Sequence, residues 1–207
     1  MIPQGINTDR FCPTVNNIPK SPLHIGFVGR LEERKGIDFI WKVMEAIGPN
    51  SGIVFHFLGS IHWAIQKEIE QKFEQYKEFS IYHPPISQSE MPSFYQSLHA
   101  LLLPSRFENF GLAYVEAMAC ELVVFAGVQG GGSEIIKDGE TGFLVDPDKD
   151  VGIVVNRLLK MSIDMESFTK VGKKARQDVC KLFSLQKCSK DKVIFYKKKL
   201  DTFKGCN

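Results

Sequence analysis

Short apolar runs alternate with amphipathic stretches through the first three quarters of the chain. LHIGFV (23–28), IVFHFL (53–58), FSIY (79–82), ALLL (100–103), LVVFA (122–126) and GFLV (142–145) are apolar or β-branched and bounded by turn residues, the pattern of buried strands. Between the first of them, residues 36–47 place Phe39, Ile40, Val43 and Ile47 on one helical face. Residues 61–76 place Ile61, Ile65, Ile69, Phe73 and Tyr76 at spacings of four, four, four and three, and 111–120 read as a short apolar helix. Strands apolar on both faces, alternating with helices, predict an α/β fold: a doubly wound parallel sheet of about six strands with helices on both faces. From about residue 150 the strands stop. Residues 150–160, 164–181 and 185–200 read as helices of a C-terminal tail, the last with Val193, Tyr196 and Leu200 in one stripe among lysines.

In such sheets ligands bind beyond the carboxyl ends of the strands, so the informative loops are 29–36, 59–61, 83–89, 104–111 and 127–134. A chain of 207 residues suffices for one well-buried core, and a net charge of +2 makes no case for nucleic acid as a partner. No run of 18 apolar residues is present, and the start, MIPQGINTDRFCP, lacks the basic and apolar regions of a signal peptide. Cys12, Cys120, Cys180, Cys188 and Cys206 are odd in number and without CxxC spacing, which predicts reduced thiols and a cytoplasmic protein. GxGxxG after the first strand, GxxxxGK[ST] and GxSxG are all absent, against dinucleotide dehydrogenases, P-loop proteins and serine hydrolases.

The densest chemistry lies in PSRFENFGLAYVEAMAC (104–120), a strand end, a turn and a helix start with carboxylates at Glu108 and Glu116. Phe110, Gly111 and Leu112 sit where loop becomes helix, and amides at a helix start suit an anion such as a phosphate. The carboxylates would accept hydrogen bonds from sugar hydroxyls, so the segment points to a nucleotide sugar. After the first strand, GRLEERKG (29–36) brings Arg30 and Lys35, two cations able to clamp a diphosphate; solvated surface residues are the plainer reading of either alone. GVQGGGSEII (127–136) holds three consecutive glycines, a sign of close backbone approach to a ligand or of tight turning. The five histidines show no metal-ligand spacing; His24 and His56 fall in strands as packed residues, and His83 sits on a carboxyl-edge loop. Trp41 and Trp63 fall in expected helices. The lysines at 197–199 read as a solvated helix face, with weak contact to an acidic membrane surface as the alternative.

In this order, IPQGINTDRF (2–11), GRLEERKG (29–36), PSRFENFGLAYVEAMA (104–119), GGGSEII (130–136) and DGETGFLV (138–145) resemble the C-terminal half of family 4 glycosyltransferases, the glycosyl transferases group 1 with the two-domain GT-B architecture. The resemblance covers nearly the whole chain. It implies one Rossmann-like half of a GT-B fold: residues 1–20 an inter-domain linker, 21–160 the donor-binding domain and 161–207 a helical tail packed on it. It also implies retaining hexosyl transfer from a UDP-, GDP- or ADP-sugar, with no cofactor and no metal.

By position, Arg30 and Lys35 would bind the donor diphosphate, and Asn109 and the amides of Phe110, Gly111 and Leu112 the phosphate or sugar. Glu116 would hold the ribose diol, Glu108 would face the transferred hexose as the catalytic carboxylate, and His83–Ile86 would lie at the nucleobase. Glu121 and Val123 stand where the family writes glycine and proline, and Pro84 and Pro85 stiffen a loop that often carries glycine. The family's N-terminal acceptor-binding domain is absent from this sequence, which makes that domain, in cis or as a separate subunit, the expected partner. The expectation is an excised or split half with little transferase activity alone. A non-catalytic nucleotide-sugar-binding or scaffold module is the alternative, and an epimerase or phosphorylase on a similar fold a third.

Overall fold

The structure, a computed structural model, describes residues 3–14 and 21–204. Residues 1–2 and 15–20 of the expected linker, and 205–207 of the tail, lie outside the described residues. Six strands, β1 (Leu23–Val28), β2 (Ile53–Leu58), β3 (Ser80–His83), β4 (Ala100–Leu103), β5 (Val123–Gly127) and β6 (Phe143–Val145), form one parallel sheet in the order β3-β2-β1-β4-β5-β6. The order reverses between β1 and β4, and the crevice at such a reversal is where ligands enter doubly wound sheets. The whole of β4 and β5 is buried, which explains their unbroken apolar runs.

Eight helices complete the described fold: α1 (Ile37–Ile47), α2 (Gln66–Gln75), α3 (Met91–Gln96), α4 (Leu112–Ala119), α5 (Gly131–Ile135), α6 (Val151–Ile163), α7 (Met165–Leu182) and α8 (Leu185–Lys204). On one face Trp41 of α1 and Phe73 of α2 pack on Phe57 of β2, and α6 lies against α1. On the other, α4 lies under α7, and Leu98 after α3 fills the space over Gly26 of β1. The expected helix over 61–76 starts later. Ile61 fits the helical stripe by spacing, yet it forms a β-bridge to Leu31, so a 3-10 turn at Trp63–Ile65 leads into α2 and leaves Trp63 exposed. The helix α3 has no counterpart among the sequence expectations; six residues are too few to show a periodic stripe.

Segment 3–14 is fastened to the tail. Ile6 N–H donates to the Phe183 carbonyl (2.9 Å) and Leu185 N–H donates to the Ile6 carbonyl (2.8 Å), at the elbow between α7 and α8. On α8, Leu185, Val193, Ile194, Phe195, Tyr196 and Leu200 are exposed, a broader apolar surface than the three-residue stripe expected. No helix among the described residues is long and apolar enough to cross a membrane.

Candidate functional site

The loops after β1 and β4 meet at the sheet's switch point. Arg106 joins them: its guanidinium donates twice to the Asp38 carboxylate (2.8 Å each) and to the Glu33 carbonyl (2.6 Å), while its own N–H donates to the Arg34 carbonyl (2.9 Å). Burial opposes ionisation of Asp38, but Arg106 holds its carboxyl below the usual range. Within this frame Lys35 Nζ forms a short ion pair with Glu108 Oε1, which also accepts a hydrogen bond from Ser105 Oγ (3.0 Å). Both side chains are mostly covered, 16% and 13% exposed, so the pair is shielded from bulk water more than a surface salt bridge.

The glycine run supports this loop directly. A Cβ on Gly127 would meet the Ser105 carbonyl at 1.8 Å, one on Gly130 the Glu108 carbonyl at 2.1 Å, and one on Gly131 the Phe110 carbonyl at 2.2 Å. Gly131 N–H donates to the Glu108 carbonyl (2.8 Å). The close approach in the structure is to the backbone of loop 104–111, where the sequence reading named a ligand, and the other reading, tight turning, applies at Gly130 (φ 75°).

Gly111, in the left-handed region (φ 81°), turns the chain into α4, and no side chain caps that helix start. Leu112 is exposed there and Asn109 is exposed on the loop, whereas the Phe110 ring turns away to stack edge-on against Phe183. Leu112 and Glu116, one turn apart on α4, line a cavity of about 240 Å³ together with Gln88, Arg10, Ile6 and Phe11. Glu116 is 8% exposed and, among the described residues, is bonded by neutral groups: Oε1 accepts from Gln88 Nε2 (3.0 Å) and Oε2 from Tyr95 Oη (3.0 Å). Burial raises its pKa, and the two hydrogen bonds and the Arg10 charge pull the other way.

The structure therefore brings Lys35, Glu108, Gly111, Leu112 and Glu116 to one edge. Arg30 is on the same loop as Lys35 but exposed, beside Glu32 (3.5 Å). His83 ends β3, its ring against His56 and Phe94, and Ile86 packs partly into the core. A larger groove of about 630 Å³ runs between α2 and β3, lined by residues such as Phe73 and Tyr82, and touches the expected site only at Pro85, inside the expected nucleobase segment His83–Ile86. Sequence reasoning passed over Arg10, Gln88, Tyr95, Ser105 and Arg106. Ser105 and Arg106 adjoin Glu108 closely enough to have been suspected, whereas the others reach the site only through the fold. Among the described residues no three His, Cys, Asp or Glu side chains converge to hold a metal ion.

The family model for glycosyl transferases group 1 matches residues 10–178, most of the chain. The protein belongs to that family. Its sheet and helices are those of the C-terminal domain of a GT-B glycosyltransferase. It is 28% identical over 159 residues to a D-inositol 3-phosphate glycosyltransferase from Arthrobacter sp., covering 71% of this chain and 38% of that one. The fold superposes on sucrose-phosphate synthase from Thermosynechococcus elongatus with a TM-score of 0.86 at 26% identity, over 97% of this chain and 52% of that one. It also matches HepE of Anabaena, solved with UDP and glucose, at a TM-score of 0.83 and 18% identity, over 94% and 55% of the two chains. The chain thus spans about half or less of each of these relatives.

Proposed function

We propose that this chain is the nucleotide-diphosphate-sugar-binding half of a retaining hexosyltransferase. The observation that carries the reading is the juxtaposition of the shielded Lys35–Glu108 pair with the uncapped start of α4 and the cavity containing Glu116. Lys35 and Arg30 would neutralise the donor diphosphate, and the amides at Phe110–Leu112 would add donors aligned with the helix dipole. Glu116 would accept from the ribose diol, in competition with its hydrogen bonds to Gln88 and Tyr95. Glu108 would face the hexose and stabilise the positive charge that develops as the bond from the anomeric carbon to the diphosphate breaks. UDP bound to HepE and a sugar-phosphate-forming relative support a nucleotide sugar as the ligand.

In this reading the acceptor is held by a second half, on this polypeptide's continuation or on another subunit. Holding both substrates together is worth on the order of 7–11 kcal/mol of the barrier at best, so the donor half alone would bind and scarcely turn over. Calorimetric titration with UDP-, GDP- and ADP-sugars tests the assignment. Binding by the parent and its loss in Arg30→Ala and Glu116→Ala are expected; equal binding by parent and variants would defeat it.

A further inference from the structure

Four histidines from four separate segments form one row on the sheet face beneath α3. His24 Nδ1 lies 2.8 Å from His56 Nε2, and His56 Nδ1 lies 3.0 Å from His83 Nε2. His99, in the turn before β4, stacks on His24 at 5.6 Å and accepts a hydrogen bond at Nδ1 from the His24 backbone N–H (2.9 Å). The row crosses β1 and β2 and ends at the carboxyl end of the edge strand β3.

Hydrogen counting limits what this row tolerates. Each nitrogen–nitrogen contact holds one hydrogen. Three neutral imidazoles bring three ring hydrogens, of which two fill the contacts and one sits on an outer nitrogen. One added proton fills the other outer nitrogen. A second has nowhere to go except into a contact already occupied, where two N–H groups would face each other.

Among the described residues, those of α3 and its start add no free charge to the row. Phe94 of α3 meets His83 edge-on, α3 itself carries no charged residue, and Glu90 at its start is tied to Ser87. Tyr95 turns to Glu116, and Tyr82 is on the opposite face of the sheet with its hydroxyl on the Gly59 carbonyl. Burial depresses His24 and His83; burial and then the charges of these two neighbours push His56 down to about 4.

His83 is followed by Pro84 and Pro85, which stiffen the short link to Gln88, the residue whose side chain donates to Glu116 and whose carbonyl accepts from Arg10. We propose that His24 and His56 are positioning residues: through the imidazole row they hold the end of β3, and through it the Gln88 loop and the wall of the Glu116 cavity, in a state that accepts one added proton and opens on the second. The link to nucleotide affinity rests on the donor-site reading; the proton limit of the row does not. An open edge returns its imidazoles to their ordinary range, so it binds more protons than the closed edge. Falling pH therefore favours opening from the ordinary imidazole range down to the depressed values.

Hydrogen exchange on the ligand-free chain is the first test. Protection of segment 80–83, corrected for intrinsic rates, should fall about tenfold between about pH 7.5 and about pH 5 in the parent. In His56→Gln, whose amide supplies one donor and one acceptor without titrating, the fall should shrink to less than about twofold. Equal losses in parent and variant, or no loss in the parent, would overturn the proposal. If the variant fails to fold, nitrogen chemical shifts of the parent's imidazoles decide: His56 titrating in the ordinary range overturns it, and a depressed titration supports it. The second test is UDP affinity at the same two pH values, expected to drop with acid in the parent and much less in His56→Gln. No UDP binding at about pH 7.5 would sink the donor-site reading while leaving the exchange result to judge the row; binding with the same pH profile in both proteins would sink the coupling alone.

Discussion

Glu108 and Glu116 are the same residue type eight positions apart, and the fold has made them opposites. Glu108 lies on a loop against an ammonium group, with a serine hydroxyl on the same oxygen. Glu116 lies inside a helix, almost fully covered, and is met by a neutral amide and a neutral phenol. The first is a charge already paired with the cation that a diphosphate would claim. The second is a desolvated acceptor whose ionisation burial makes harder. Position in the fold, rather than side-chain chemistry, sets their environments apart.

The largest effect should come from breaking the charged member. Lys35→Met leaves Glu108 covered and without its cation, and nucleotide-diphosphate affinity by calorimetry should fall by roughly 10- to 100-fold, as expected for losing a charge-assisted contact. Next comes the buried member. Glu116→Leu leaves the Tyr95 hydroxyl without its acceptor at a residue with 0% exposure, and denaturant unfolding should show a loss of about 2 kcal/mol. Glu116→Gln should cost less, with a pH signature. A carboxyl whose folded pKa is raised holds its proton more tightly when folded, so its contribution declines as pH rises above the ordinary carboxylate range. The variant should therefore gain on the parent as pH rises through that window.

Smaller effects separate the two environments further. Arg106→Ala loosens the loop that carries Glu108 and should cost about 1 kcal/mol. That deficit should shrink in acid, because Asp38 is held below its usual range by Arg106 and loses its advantage as it protonates. At the far end of the Glu116 helix, Glu121 occupies the left-handed region (φ 64°), the conformation suited to the glycine that the family writes there. β5 still begins cleanly at Val123, so the departure strains one turn without misplacing the strand. Glu121→Gly should stabilise the fold by about 0.5 kcal/mol, strain relief being partly offset by unfolded-chain entropy.

Most of the sheet was legible in the sequence because parallel strands buried on both faces leave short apolar runs, which their length and flanking turn residues separate from helix segments. Boundaries slipped where one residue fitted two periodicities, as Ile61 did. Lys35 and Glu108 were identifiable as candidates, but their pairing across 73 positions depends on β1 and β4 being neighbours, which no local pattern encodes. The histidine row depends on strand order in the same way. Read singly, His24 and His56 are packed strand residues, as expected; their hydrogen-bonded continuity is visible only once β3, β2 and β1 lie side by side. The glycine run pointed to a ligand or a tight turn, and the fold sets it against the neighbouring main chain, a partner that composition alone does not reveal.

The fastening of Ile6 at the α7–α8 elbow has a mechanical consequence. Two backbone hydrogen bonds at Ile6 tie segment 3–14 to the elbow, so tension along α8 is passed to that segment, which is anchored further on by bonds to the Phe11 and Cys12 carbonyls. Since Ile6 and Arg10 belong to that strap and border the hollow around Glu116, a tug at the elbow would be felt there as a change in the hollow's width.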